Sequence, residues 1–418
     1  MEPHLPDHPL TPAREGPAAT VRAQAGRGLY VHVPFCAQRC SYCDFSSGTL
    51  SAAAVERYLS AIEIEAGRRA AGAAGTRFTS VFFGGGTPSA LSGRHFRRLW
   101  SALRSHFSFS GDAEITLEAN PESVKPTLLD AWAEAGVNRL SMGAQSFDPE
   151  ELRGLGRIHG PGRPAEAFAL ARQHGFRRLS LDLMFGFPGQ TQQTWESTLA
   201  TARALEPEHL SAYCFIPEAE TPLGQATLRG EVSLPGPEQQ AESYQRLVAY
   251  LGNAGYAVYE TSNFARPDGE CRHNLVYWLR REYLGLGPSA HSLWGGVRMG
   301  NAYALESWAA ALEGGRPWAT MEPESERSRA DEIVMLGLRL GTGLERGDYS
   351  AEDWRGVMER YGRALARAVD EHRLEQSAEG FRIAAGHRFV ADDVIAWLMA
   401  AAERHAPEHD LTLCEARP

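Results

Sequence analysis

At 418 residues, with 43% hydrophobic and 22% charged side chains, the chain has the composition of a globular protein. That length suffices for one domain of roughly 200 to 250 residues and a smaller companion. No run of about 18 or more apolar residues is present to cross a bilayer, and a formal net charge of −10 argues against a nonspecific nucleic-acid surface, whose affinity comes from cations on phosphates.

Lys125 is the one lysine among 42 basic residues, which leaves a Schiff-base cofactor a single candidate and removes a Walker-type phosphate lysine. Residues 1–27 are rich in Pro, Ala and Gly without a continuous apolar centre, so they read as a disordered tail and not as a secretory signal. Of six cysteines, Cys36, Cys40 and Cys43 cluster while Cys214, Cys271 and Cys414 stand alone. That is no disulfide framework; the isolated three read as small hydrophobes and the expected compartment is the reducing cytoplasm.

From residue 28 to 255 short β-rich runs alternate with amphipathic helical stretches at about 30-residue spacing, the mark of successive βα units. Six strands are predicted, over residues 29–35, 80–85, 114–120, 139–145, 178–187 and 209–216. Polar residues gather late in them or just beyond: the cysteines after the first, "GGGTPS" (Gly84 to Ser89) after the second, then Glu118, Gln145 and Asp182. In parallel α/β folds the carboxyl ends of the strands form the ligand face. Six units predict an incomplete (β/α)6 barrel.

Residues 256–322 are too aromatic and irregular for another unit and are expected to fold over the barrel mouth. Residues 323–418 read as a small helical domain, winged-helix-like, with a short β-ribbon before its last helix. From Glu322 onward 13 arginines face 20 acidic residues, the wrong sign for reading DNA, so a packing or lid role is expected.

The cysteine loop "CAQRCSYC" has two metal readings. Structural zinc wants four ligands, and His32 would complete a Cys3His set. A cubane iron–sulfur cluster takes four thiolates, so three leave one iron open to an exogenous ligand. The glycines of "GGGTPS" let backbone approach a ligand closely, and in "CRHNLVYW" a histidine beside flat aromatic residues offers what a haem site requires.

With an aromatic residue, Tyr42, before the last cysteine, the chain resembles the radical S-adenosylmethionine (SAM) proteins of the coproporphyrinogen dehydrogenase-like (HemN-like) family. The resemblance spans about residues 28 to 400. It implies a [4Fe-4S] cluster on Cys36, Cys40 and Cys43 whose open iron is chelated by SAM. Gly85, Gly86 and Thr87 would contact the methionine end, and Glu118, Gln145, Arg157 and Asp182 would occupy the family's other SAM positions. Tyr30, which opens "YVHVPFC", would stack near the cofactor or pack in the core.

The motif H-N-x-x-Y-W, here His273, Asn274, Tyr277 and Trp278, is that of the haem chaperones within this family, with Arg280 and Arg281 placed to meet haem propionates. The family's decarboxylating enzymes carry a fourth cysteine two residues after the third, where this chain has Phe45. The resemblance therefore implies a haem chaperone, with coproporphyrinogen III dehydrogenase as the alternative. Its cofactors would be the cluster, SAM and haem. Its partners would be an electron donor and a haem-receiving protein, membrane-associated or not, and no nucleic acid.

Overall fold

The computed structural model describes residues 19–316 and 318–404; the expectations for residues 1–18 and for Cys414 fall outside them. All six predicted strands form: β1 (Gly28–Val33), β2 (Arg77–Gly85), β3 (Ser108–Ala119), β4 (Arg139–Gln145), β5 (Arg178–Phe185) and β6 (His209–Cys214). They lie side by side in chain order and are parallel throughout. The expected helix follows each of the first five strands, as right-handed crossovers between parallel strands require.

The strands alternate with period two, which sorts their side chains onto two faces. Leu29, Val31, Val81, Phe83, Leu117, Leu140, Leu179, Leu181 and Leu210 are fully buried on one face. The other face carries Ser80, Thr116, Arg139, Ser141, Ser180 and His209, equally buried yet polar. The curved sheet therefore encloses a polar interior, and every group in it needs a partner.

Residues 256–322 do not form the separate cap expected of them. They lengthen the same sheet at both edges. Strands β7 (Ala257–Glu260) and β8 (Asn263–Ala265) add antiparallel beyond β6, while β9 (Tyr283–Leu286) adds parallel to β1 and is followed by β10 (His291–Trp294), β11 (Val297–Gly300) and β12 (Thr320–Pro323). The six-unit barrel thus stays open, each edge extended instead of joined to the other. The tail is also shorter than expected, because Ala19–Gln24 is helical and Val21 and Ala25 are buried.

One buried carboxylate ties the β9 edge to the barrel. Glu65, in the helix Ala52–Ala70, accepts from Arg69 Nη2 (2.6 Å), Asn301 Nδ2 (2.8 Å), Gly287 N (2.8 Å) and Trp308 Nε1 (3.2 Å). A buried ion pair stripped of one member leaves an uncompensated charge.

A second compact unit comprises residues 278–280 and 324 onward. Its helices Glu326–Gly337, Ala351–Asp370 and Ala391–Glu403 pack around Val334, Tyr361, Leu365 and Leu398. The ribbon is Leu374–Gln376 against Gly380–Ile383, joined by Leu344–Glu345. This is the winged-helix-like arrangement expected. Among the described residues no helix is long and apolar enough to cross a membrane.

Replacing Glu65 by Ala is expected to destabilise the first unit by about 3–5 kcal/mol, because the Arg69 guanidinium stays buried without its carboxylate. Denaturant unfolding checks this: a change below about 1 kcal/mol would contradict the assignment of Glu65 as the tie.

Candidate functional site

The site starts from the end of β1. Beyond Val33 the chain pairs Phe35–Cys36 with Gly48–Thr49 and throws out the cysteine loop between them. Ser41 anchors that loop: its N–H donates to Leu155 O (3.2 Å), its hydroxyl to Gly154 O (3.0 Å), and its own carbonyl accepts from Leu223 N (2.8 Å). Tyr42 packs among Leu155, Met184, Phe187 and Phe215.

The three thiols open onto one cavity of about 320 Å3, lined also by Tyr42, Gly85, Gly86, Thr87, Glu118, Gln145, Arg157 and Asp182. Side chains from the cysteine loop and five successive strand ends thus converge, in a volume suited to a small ligand. Gly85 has φ +110°, and a Cβ on it would sit 2.6 Å from the His32 ring. At Gly86 a Cβ would lie 2.8 Å from Phe35 O and 3.1 Å from Cys36 Sγ. Backbone packs there against the cysteine loop as only glycine permits.

Polar contacts knit the walls together. The Thr87 hydroxyl donates to Cys36 Sγ (3.4 Å) and Arg157 Nη1 to Cys40 Sγ (3.3 Å). Arg157 Nη2 donates to Asn120 Oδ1 (2.8 Å) and Gly143 O (2.7 Å), while Asn120 Nδ2 reaches Thr87 Oγ1 (3.2 Å). The Arg157 Nε is buried without an acceptor among the described residues, a donor left for something else.

Asp182 accepts from Ser141 Oγ (3.0 and 3.2 Å) and from Ser180 Oγ (3.4 Å). Glu118 accepts from Gly85 N (3.2 Å); burial first, and then the neighbouring Asp182, push its carboxyl up to about 8. A cationic ligand group beside Glu118 would draw it into the ionised form. At Gln145 a register shift in β4 and φ +66° re-aim the side chain, backbone strain of the kind found at binding sites.

The zinc reading does not survive the geometry. His32 spends one ring nitrogen on Ser46 O (2.8 Å) and the other on Tyr30 OH (3.1 Å). The cluster fits better. Its three thiols border a shared cavity, a Cβ-free backbone lies against Cys36, and a buried Arg157 donor stands in the wall.

Tyr30 does not reach the cavity; it stacks on Phe82 (6.4 Å between ring centroids) inside the barrel. His273 lies further off still. Its Nδ1 meets Ser80 Oγ (2.9 Å) and its Nε2 meets Tyr277 OH (2.9 Å), while its N–H donates to Glu114 Oε1 (3.2 Å). Ser80 pairs with Glu114, and both precede the level of Glu118 by four residues, about 13 Å along the strands.

His273 is thus fully buried at the amino ends of the strands, where burial first and then Arg139 push its imidazole down to about 3. Both nitrogens of the neutral ring are engaged. The ring, expected as a haem ligand, is held by Ser80 and Tyr277, and the helix Arg272–Trp278 that carries it lies at the amino ends of the strands. Tyr277 stays with it in the first unit, whereas Trp278 belongs to the second. Arg280 is not free for a propionate, being paired with Glu332 (2.9 Å) and Glu324.

The sequence reasoning missed Asn120, the bridge between Thr87 and Arg157, and Arg39, Phe45 and Tyr213, which also line the cavity. Asn120 and Tyr213 carried the signal used for the others, a polar group at or just past the end of a strand.

A model of the radical SAM superfamily matches residues 30–202. The heme chaperone HemW of Mycobacterium tuberculosis is 39% identical over 321 residues, 76% of this chain and 82% of that protein. That of Bacillus subtilis is 35% identical over 341 residues, covering 81% and 88%. The solved structure of coproporphyrinogen III oxidase (HemN) from Escherichia coli superposes with a TM-score of 0.77 at 26% identity, over 91% of this chain and 92% of that one. Fold and site together define a radical SAM protein. Within that superfamily the chain belongs to the HemW family.

His273→Ala is expected to lower stability by about 3 kcal/mol, since it strands the Ser80 and Tyr277 hydroxyls and opens a void against Phe82. Thermal unfolding without any ligand is the check. An unchanged transition would contradict these contacts.

Proposed function

We propose that this chain is a haem chaperone, which binds haem and passes it to a recipient protein, and that it holds a [4Fe-4S] cluster on Cys36, Cys40 and Cys43 with SAM beside it. The observation that carries the cluster and SAM is the single cavity shared by three thiols, the glycine turn and the carboxylates of successive strand ends. The haem role rests on the HemW relatives, which match this chain over most of their length.

When bound, the reduced cluster supplies an electron to the sulfonium of SAM, hard chemistry that belongs to the cofactor while the protein positions it. Gly85 and Gly86 admit the methionine end close to backbone. Arg157 stands where a carboxylate would meet its unpaired Nε, and Asp182, fixed by Ser141 and Ser180, is suited to ribose hydroxyls. Tyr42 and its apolar neighbours shield the cysteine loop from water on one side.

The second reading is oxygen-independent oxidative decarboxylation of coproporphyrinogen III, favoured by the structural likeness to HemN. Against it stands Phe45, which lines the cavity where that branch has its fourth cysteine. An electron donor, a recipient of haem, membrane-associated or not, and a cytoplasmic setting complete the proposal.

The test is anaerobic. Cluster-reconstituted protein is titrated with haem, its transfer to apomyoglobin is followed by absorbance, and coproporphyrinogen III turnover is assayed in parallel with SAM and a reductant. Saturable haem binding and transfer without decarboxylation are expected. Turnover without saturable haem binding would overturn the chaperone reading in favour of the enzyme.

A further inference from the structure

Arg157 reaches the cavity from residues 155–162, a stretch of turns between the helices Pro149–Gly154 and Arg163–Gln173. No helix or strand aims it. The stretch is tied on one side to the cysteine loop, through Ser41 N to Leu155 O (3.2 Å) and Gln38 Nε2 to Gly156 O (3.2 Å). On the other side it is laced to the turn Pro121–Ser123, which follows β3.

Three contacts make the lacing, and they advance in step along both stretches. Arg157 Nη2 donates to Asn120 Oδ1 (2.8 Å), His159 Nδ1 lies 3.5 Å from Glu122 Oε2, and Arg163 Nη2 donates to Val124 O (2.6 Å). The middle contact differs from the other two. The His159 side chain is fully buried, yet both its ring nitrogens and Glu122 Oε2 lack a well-formed hydrogen bond among the described residues. Polar groups buried in this way are costly as mere packing. Burial alone would raise the Glu122 carboxyl, but the contact with His159, its own backbone N–H and the Arg157 charge hold it below the usual carboxylate range.

We propose that Glu122 and His159 are a positioning pair for Arg157: their contact fixes the stretch that carries the guanidinium, and so sets the affinity for a carboxylate beside Arg157 Nε. The inference rests on the reading above, in which that carboxylate is the methionine end of SAM. Neither residue is among those that line the cavity, so neither has to touch SAM. What they supply is the aim of a side chain that does.

The experiment measures SAM binding to the full-length, cluster-reconstituted protein by anaerobic equilibrium dialysis. It runs in parallel with 5′-methylthioadenosine, which keeps the adenosine and lacks the carboxylate. Glu122→Ala and His159→Leu are each expected to raise the Kd for SAM about tenfold, the scale on which outer partners of a ligand-holding side chain act. Methylthioadenosine binding is expected to be unchanged in both. The double variant is expected to be no weaker than either single one, since both break the same contact. His159→Asn, whose amide can donate from nearly the Nδ1 position, is expected to bind SAM as the wild type does. Glu122, with 25% of its side chain exposed, keeps the test open should His159→Leu not fold.

Wild-type SAM affinity in both single variants, with Arg157→Ala weakened, would overturn the pair and leave the reading of Arg157 standing. Equal weakening of SAM and methylthioadenosine would also overturn it, as the mark of a general loss of structure. Should Arg157→Ala itself bind SAM normally, the reading of Arg157 falls and the pair with it.

Discussion

At Gly86 backbone lies directly against Phe35 and the Cys36 sulfur, in a space a single methyl group would fill. That approach fixes the cysteine loop to the end of β2. The loop has few regular hydrogen bonds of its own, so its geometry is borrowed from what it touches: Ser41 on the 154–155 turn, Thr87 on Cys36, Arg157 on Cys40. Because those partners come from different βα units, the three thiols face the same space as Glu118 and Asp182. The cavity is a consequence of that contact.

Behind it, the period-two alternation leaves the barrel with a polar lumen, and the two ends of that lumen differ. At the carboxyl ends the polar groups are arranged around open space, with an Arg157 Nε lacking an acceptor among the described residues and a Glu118 carboxyl pushed up to about 8 by burial and Asp182. At the amino ends several bond one another, Ser80 with His273, His273 with Tyr277, Ser180 with His209, and His209 with Tyr259. His273, in the H-N-x-x-Y-W helix, belongs to that mutually bonded set.

The strands and most of the cavity were legible in the sequence because both obey local rules. Alternation reveals strands, the carboxyl ends of parallel strands form the ligand face, and three closely spaced cysteines leave few chemical options. Two things were not legible. Whether residues 256–322 cover the mouth or extend the sheet depends on pairings between positions far apart in the chain, such as Tyr283 with Gly28 and Asn263 with Ser211. Whether His273 offers a nitrogen depends on Ser80, 193 residues away, and a motif carries no record of that neighbour. The same distance hid Asn120, whose value lies in joining Thr87 to Arg157.

The central claim is that Cys36, Cys40 and Cys43 are the only protein ligands of a cubane whose fourth iron is taken by SAM. Pulsed electron paramagnetic resonance of the reduced, reconstituted protein, with SAM labelled by 15N and 17O at its methionine end, measures that directly. Hyperfine coupling from both labels to the cluster is the result this account predicts. A cluster without coupling to either label, or one ligated at all four irons by protein side chains, would contradict it.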